Sequence, residues 1–217
     1  MQIPSFKINT PAGMFHVSGG NSKVQFPIIN VGAAMDCPSR QWCPFDKDNH
    51  KEAGRKLCYA QKNERIYKTA LDSRRNNERI IRELDEFDTK CLAIDIAGMI
   101  KDKTRRKRIK SKDLSKQFVR INESSDLSNW NICFVSAVIK ALKAVSINVY
   151  LYSKAPLSIR AEAIGAGAKV LHSERDFVGY GSIEELEQSD SIACPGECGP
   201  CVACPTFNGK TIGVLEH

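Results

Sequence analysis

Strand-length and helix-length apolar segments alternate regularly over the second half of the sequence. Four segments are typical of buried strands: 117–122, 147–154, 168–173 and 190–194. The segments between them, 130–145, 156–167 and 182–188, are typical of helices, and the run 26–32 predicts an earlier buried strand. Strands that alternate with helices pack as parallel units with right-handed crossovers. The sequence therefore predicts an α/β fold, a partial (β/α) barrel or open sheet of about five to six mainly parallel strands.

The rest of the chain predicts appendages to one domain of residues 1–217. Residues 1–25 predict an N-terminal β-hairpin whose turn is Gly-Gly-Asn at 19–21. Helices are expected over 57–82 and 85–99, followed by a basic loop at 101–112, and residues 194–217 predict a cysteine-rich tail with a final strand. The expected inward positions of the first helix are Leu57, Ile66, Tyr67, Ala70, Leu71, Ile80 and Ile81.

The nine cysteines are unevenly spaced. Because no segment is long enough to span a membrane and the N-terminus lacks an apolar signal region, we expect a cytoplasmic protein. A reducing cytoplasm favours metal ligation or catalysis over disulfides. Cys91 and Cys133 stand alone in apolar helical contexts, which predicts that they are buried small hydrophobes. The other seven form an early group, Cys37, Cys43 and Cys58, and a late group, Cys194, Cys198, Cys201 and Cys204.

The late group has the spacing C-x₃-C-x₂-C-x₂-C within CPGECGPCVACP. Structural zinc sites usually take their thiolates from two separated pairs, whereas closely spaced cysteines ending in Cys-Pro are typical of [4Fe–4S] sites. The glycines allow backbone amides to turn toward the sulfur atoms. An iron–sulfur cluster is the favoured interpretation, and zinc, disulfides and free thiols are the alternatives.

The early group follows the first predicted buried strand with the looser spacing C-x₅-C-x₁₄-C. Cys58 is expected to open a helix, where the backbone amides favour a thiolate. Three cysteines could hold a cluster with one open iron, or take a fourth ligand from the late group. One shared cluster and two separate clusters both remain open. Trp42 lies between Cys37 and Cys43 in the sequence and is predicted to shield a bound cluster from solvent.

Polar residues follow the predicted strands at the edge where α/β proteins bind ligands. Glu123 and Asp126 could bind a ribose, an amine or a substrate proton, although a cap on the next helix by Asp126 or Ser128 is the favoured alternative. Lys154 could anchor an anion or be a surface lysine. His172 and Glu174 form the best acid–base pair, with a structural histidine as the alternative.

The net charge of +7 suggests a second function class. Residues 101–112 contain eight basic residues and one acidic residue, so the charge outside this run is near balance. Such a run is usually a solvated loop, but it could contact phosphates. The alternative to an iron–sulfur protein is therefore a zinc-stabilised protein that binds nucleic acid. A small-molecule substrate or an electron-transfer partner is expected under the first interpretation, and no membrane partner under either.

Four motifs resemble those of an uncharacterised bacteriophage gene-product family. They are DCPSRQWC…CYA, VRINESSDLSNW, VYLYSK and CPGECGPCVAC…IGVLEH, and together they extend from about residue 27 to 217. Ser125 departs from the resemblance, since the family more often has glycine there. The family's organisation is similar to that of radical S-adenosylmethionine enzymes. The resemblance implies a partial (β/α) barrel in a host cytoplasm, a [4Fe–4S] cluster and possible S-adenosylmethionine binding, but the standard N-terminal cysteine motif is lacking, so similarity of fold is expected more than shared chemistry.

Overall fold

The computed structural model describes residues 3–21, 24, 26–41, 43, 58–106, 117–172, 177–180, 183–194 and 211–215. The strands are β1 (Phe6–Thr10), β2 (Gly13–Val17), β3 (Ile28–Ile29), β4 (Phe118–Ile121), β5 (Asn148–Ser153), β6 (Lys169–His172), β7 (Phe177–Tyr180), β8 (Ile192–Ala193) and β9 (Ile212–Leu215). The helices are α1 (Tyr59–Ile66), α2 (Lys68–Glu83), α3 (Glu86–Arg106), α4 (Ile132–Ala144), α5 (Leu157–Gly165) and α6 (Ile183–Glu187). Short 3₁₀ turns cover Ala34–Asp36 and Pro38–Gln41.

A four-stranded parallel sheet forms the centre of the fold. Its strands lie in chain order, β3-β4-β5-β6, and every pair is parallel. Because α4 connects β4 to β5 and α5 connects β5 to β6, the expected alternation of strands and helices is confirmed. Val119 and Ile121 on β4 and Val149 and Leu151 on β5 belong to the main core, on the face that the helices cover. The chain is thus a mixed α/β protein.

Helix α4 shows how the sequence pattern builds this layer. Its buried residues recur at spacings of three and four, and they are Ile132, Phe134, Val135, Val138, Ile139 and Leu142. This stripe packs against α3, α5 and β5. Burial of each large side chain contributes about 1.5–3 kcal/mol of transfer free energy, so packing stabilises the layer more than helix propensity does.

A second sheet lies against the other face of the central sheet, the inner face. It is parallel and has the order β7-β9-β8. Ile212 of β9 packs with Phe118, Tyr150 and Leu171, which come from three strands of the central sheet. The predicted strand at 190–194 is present only as β8, and it belongs to this second sheet. Strand β7 was not among the predicted strands.

The N-terminal hairpin is confirmed, but its predicted turn is wrong. Strands β1 and β2 pair from Phe6–Val17 to Thr10–Gly13, so the turn is Pro11-Ala12 and not Gly-Gly-Asn at 19–21. Gly13 has φ of +124°, a conformation that glycine adopts without a Cβ clash, and Thr10 Oγ1 donates to its carbonyl at 2.7 Å. Gly19 and Gly20 instead follow Ser18, whose isolated antiparallel bridge to Ile28 joins the end of β2 to the start of β3.

The expected helix at 57–82 is two helices that meet at Tyr67. Because Tyr67 leaves the helical conformation, the residues at this corner turn toward solvent, and Ile66 and Tyr67 are 61% and 59% exposed rather than inward. Helix α3 continues to Arg106, so residues 101–106 of the predicted basic loop are helical, while 107–112 lie outside the described residues.

The prediction that Cys91 and Cys133 are buried is wrong. Both side chains are exposed. Each lies beside a residue on the buried face of its helix, Leu92 on α3 and Ile132 and Phe134 on α4, and adjacent helical positions point about 100° apart. In the described part of the chain, no helix combines the length and apolar character needed to cross a membrane.

Candidate functional site

The carboxyl ends of β3, β4 and β5 bring three polar turns to one edge of the central sheet. The turn after β3 contains Cys37 and Ser39, the turn after β4 contains residues 122–126, and β5 ends at Ser153 and is followed by Lys154. Parallel pairing in register places these turns side by side. The strand-end edge that the sequence predicted is therefore where Cys37, Glu123, Asp126 and Lys154 lie.

Asp126 connects all three turns. Its carboxylate accepts hydrogen bonds from Ser39 Oγ at 2.6 Å, from the backbone N–H of Lys154 at 2.9 Å, from Ser153 Oγ and from the backbone N–H of Leu127. The side chain is 5% exposed, so these four donors offset the cost of burying its charge. Asp126 thus holds the strand ends together. The expected cap is wrong, since α4 begins after Asn131 and has no side-chain cap.

A buried ion triad supports the turn before Cys37. Glu64 is fully buried and accepts hydrogen bonds from the backbone N–H groups of Ala34 and Met35 at 2.8 and 2.9 Å. Arg74 donates to Glu64 at 2.9 Å and to Glu123 at 3.0 Å. Glu123 is therefore paired with Arg74 and does not point freely into the edge. The triad connects the cysteine turn to helix α2 and to the end of β4.

Asn122 and Ser125 give the turn after β4 an unusual backbone. Their φ angles are +61° and +68°, in the left-handed region that favours glycine. Ser125 Oγ is buried and has no hydrogen-bond partner among the described residues. The glycine that the resembling family more often has at this position is the residue that this backbone conformation favours.

The three early cysteines interact electrostatically at this edge. Burial raises the pKa of the Cys37 thiol to about 12, and the negative charges of Asp126, Cys43 and Cys58 act in the same direction, while a hydrogen bond from the Ser39 backbone opposes them. Cys58 precedes the first turn of α1, as the sequence predicted. The arrangement therefore brings Cys37, Cys43 and Cys58 into one electrostatic neighbourhood, although they are far apart in the sequence.

Lys154 lies beside this group. Its ammonium group donates to Cys43 Sγ at 3.6 Å, which places a positive charge beside this sulfur atom. Among the described residues, no group of three histidine, cysteine or carboxylate side chains is arranged to hold a metal ion.

The other predicted site residues are placed as follows. His172 is the last residue of β6, and Cys194 follows β8 and packs beside Phe118, Tyr150, Leu171 and Ile212 on the inner face. Trp42, Glu174, Cys198, Cys201 and Cys204 lie outside the described residues. The pairing of His172 with Glu174 and the ligand role of the late group therefore stay predictions.

Some residues of this edge were not expected from the sequence. Glu64 and Arg74 lie on different helices, so no spacing rule relates them to Cys37. Asn30, which accepts hydrogen bonds from the backbone N–H of Glu123 and Ser124, had the signal of a polar residue directly after a strand. Arg120 had a stronger signal, because it is a charged residue inside the apolar strand FVRI.

A polar cleft opens beside the same edge, between the hairpin and α2. It has a volume of about 690 Å³, and Lys7, His16, Ser73, Arg74 and Glu123 are among its lining residues. The His16 ring is hydrogen-bonded through Nδ1 to Ser73 Oγ at 3.0 Å. Burial, with a smaller effect of the Lys7 charge, lowers the pKa of His16, so this ring is neutral at physiological pH.

The fold and the edge together define a mixed α/β protein that carries polar and thiol side chains at the carboxyl ends of a parallel sheet. The family model of Gene product 88, an uncharacterised phage-type family, matches residues 10–171. The chain belongs to this family. The match includes the second strand of the hairpin, the early cysteines, Glu123, Asp126 and Lys154, whereas the late cysteines lie beyond it. No curated protein and no solved structure matches the chain significantly.

Proposed function

We propose that the chain is a phage-type protein that binds a [4Fe–4S] cluster and acts in redox or cluster-dependent catalysis. The observation that carries the proposal is that Cys37 and Cys43 lie at the carboxyl edge of the parallel sheet, while Cys58 begins helix α1, which packs on the same turn. In this proposal the two sheets are parts of a partial (β/α) barrel whose mouth holds the cluster. The radical-SAM-like organisation that the sequence resemblance implies belongs to the same proposal.

The donor set supports a cluster over a single ion. Thiolates are soft ligands that select zinc, copper(I) or iron–sulfur clusters. One zinc ion draws its ligands to about 2.3 Å from a common centre, whereas a cluster binds each thiolate through a different iron atom and keeps the thiolates farther apart. The early group provides three thiols, and its wide spacing in the sequence would allow each thiolate to reach a different iron atom.

The proposed ligands are Cys37, Cys43 and Cys58, with the fourth position either open or taken by the late group. Cys194 packs on the inner face of the central sheet, so the late group begins beside the proposed barrel interior. The cluster would supply one-electron transfer or a Lewis-acidic iron. Lys154 would hold positive charge beside Cys43, and Asp126 would keep the three strand ends in register.

Metal analysis of wild-type protein purified without oxygen tests this proposal. We expect a brown protein with about four iron and four sulfide per chain, or about eight if two clusters form. Colourless protein with stoichiometric zinc would contradict the proposal and favour the alternative, a zinc-stabilised protein that binds nucleic acid through 101–112. Purified protein that binds neither metal after reconstitution would contradict both.

Serine variants of the early cysteines identify the ligands. Cys37→Ser, Cys43→Ser and Cys58→Ser should each lose most of the iron and the visible absorption, because each removes a thiolate from the cluster. Cys91→Ser and Cys133→Ser are matched controls on exposed positions of α3 and α4, and they should keep the iron content of the wild type. Equal iron in all five variants would remove the early group from the ligand set.

A further inference from the structure

Arg120 is a charged residue on the inner face of the central sheet. Along β4 the side chains alternate, so Phe118 and Arg120 face away from Val119 and Ile121, which pack under the helices. In the register of the sheet, Arg120 lies between Ile28 of β3 and Tyr150 of β5. Partial burial of an arginine in the middle of a parallel sheet costs desolvation free energy. The contacts of its guanidinium group must offset this cost.

The guanidinium group of Arg120 leans toward the carboxyl edge. Its Nε–H donates to the carbonyl of Asn122 at 3.2 Å, and its Cζ lies 4.8 Å from the centre of the Tyr152 ring. These two contacts fix the plane of the group at the level of Tyr152, one row beyond its register partner Tyr150. Lys154 follows the end of β5 and contacts Cys43. The guanidinium therefore lies on the inner face, beside the end of β4 that leads into the polar turn at residues 122–126.

The charge of Arg120 is not paired with a carboxylate among the described residues. By contrast, all four arginines of α2 have carboxylate partners within 3.0 Å: Arg74 with Glu64, Arg75 with Asp36, Arg79 with Glu83 and Arg82 with Glu78. Arg82 is the closest comparison, since it is also stacked, with its Cζ 4.1 Å from the Trp130 ring centre. An aromatic ring fixes the plane of a guanidinium but leaves its terminal N–H groups available for an anion.

We propose that Arg120 binds the anionic group, a carboxylate or a phosphate, of a small ligand on the inner face beside the cysteine edge. The planar fork of N–H groups matches both oxyanions, and a partly buried setting strengthens the contact. Tyr152 supplies the wall against which the guanidinium stacks. The inference rests on the proposed function only where it identifies this ligand as the substrate of the cluster; the anion site itself requires no cluster.

Two-dimensional NMR of the full chain labelled with ¹³C,¹⁵N-arginine tests the site. Inorganic phosphate and, in separate titrations, acetate are the probes, and the anion that saturates at the lower concentration identifies the ligand class. We expect a saturable shift of the Arg120 guanidinium signal, which is assigned by its loss in Arg120→Lys. The Arg82 signal is the internal control and should not shift in a saturable way, because Glu78 occupies its N–H groups. An Arg120 signal that responds to neither anion overturns the inference.

A second pair of variants tests the role of the ring. Tyr152→Leu should weaken the binding of the preferred anion by about two- to fivefold, because the stacked platform is lost. Trp130→Leu, which removes the platform of Arg82, should leave the binding unchanged. Equal weakening by both variants would show a general loss of structure and would count against the site. Far-ultraviolet circular dichroism of each variant measures folding directly.

Iron content separates this inference from the proposed function. Unlabelled protein that is prepared in the same way is analysed for iron and sulfide. Saturable binding at Arg120 in protein that never binds a cluster would refute the proposed function and support the anion site. Protein that holds a full cluster but whose Arg120 signal does not respond to phosphate or acetate would support the proposed function and refute the anion site.

Discussion

At the scale of single residues, buried charges hold the turn before Cys37 in place at the carboxyl edge of the central sheet. Glu64 is fully buried, and its carboxylate accepts hydrogen bonds from two backbone N–H groups of the turn before Cys37. Arg74, with 9% of its side chain exposed, is its charged partner, and Glu123 receives the other arm of the same guanidinium. A buried charge that loses its partner is far more costly than an exposed one. The position of the turn before Cys37 therefore depends on Arg74, which lies 37 positions later in the sequence.

Replacement of Arg74 tests this dependence. Arg74→Met leaves Glu64 as an unpaired buried carboxylate, and we expect the free energy of unfolding to fall by about 3–5 kcal/mol. The neighbouring Arg75 is a matched control, since it pairs with Asp36 on an exposed surface, and Arg75→Met should cost less than about 1 kcal/mol. Urea denaturation followed by circular dichroism measures both. Similar losses for the two variants would show that the triad contributes no more than a surface ion pair.

Only part of the residue-level site could be predicted from the sequence. Cys37, Asp126 and Lys154 were expected at one edge because each directly follows an apolar run, and parallel strands end together. Glu64 could not be found in this way, because its role depends on how α1 and α2 pack over the turn. The helical pattern of Cys91 and Cys133 was misleading, since apolar neighbours do not determine which side of a helix a cysteine occupies.

At the scale of elements, the sheet and its helices followed from hydrophobic spacing, while the connections did not. The strand and helix pattern from β4 to β6 matches the expectation to within about two residues at each end. The hairpin turn was misplaced because Gly-Gly-Asn is a stronger turn signal than Pro-Ala. Strand β7 was not predicted because its segment is short. The corner at Tyr67 interrupts a continuous helical composition. These features depend on tertiary packing, which local sequence does not record.

The turn after β4 gives a prediction at this scale. Ser125→Gly should raise the free energy of unfolding by about 1 kcal/mol, because glycine adopts a φ of +68° without strain and the substitution removes a buried hydroxyl that has no described partner. Thermal unfolding of the cluster-free chain measures the change.

The adjacent serine is the control for this variant. Ser124 has no positive φ, and its Oγ donates to the Gly32 carbonyl at 3.0 Å. Ser124→Gly should therefore destabilise the protein by about 1–2 kcal/mol. If both glycine variants destabilise the chain, the backbone at Ser125 is not strained.

At the scale of the whole molecule, both faces of the central sheet are covered and the hairpin packs on the helices. The helices cover the outer face of the central sheet, the second sheet packs on the inner face through Ile212, and the hairpin contacts α2 and α3. The cleft lined by His16 and Glu123 lies between the hairpin and α2, so it joins two parts of the chain that are distant in sequence. Global stability and the integrity of this cleft are therefore coupled.

The pH dependence of stability reports that coupling. Because the pKa of His16 is lower in the folded chain than its ordinary value, the unfolded state binds more protons at mildly acidic pH. The contribution of His16 to stability is fully present above about pH 6.5 and falls as the pH decreases through the lowered pKa. Denaturation midpoints between about pH 5 and 7.5 should show this decrease in wild type, a weaker one in Lys7→Met, and none from this source in His16→Asn. Identical slopes in all three proteins would contradict it.

The order of strands in the second sheet has a consequence for the timing of assembly. Strand β9 lies between β7 and β8, although it follows both of them in the chain. During synthesis the central sheet can add its strands one after another as they leave the ribosome, but β7 and β8 have no neighbour in their own sheet until residues 212–215 emerge. Cys198, Cys201 and Cys204 lie in the segment between β8 and β9. The segment that carries these three cysteines is therefore synthesised after every strand of the central sheet and before the strand that completes the second sheet.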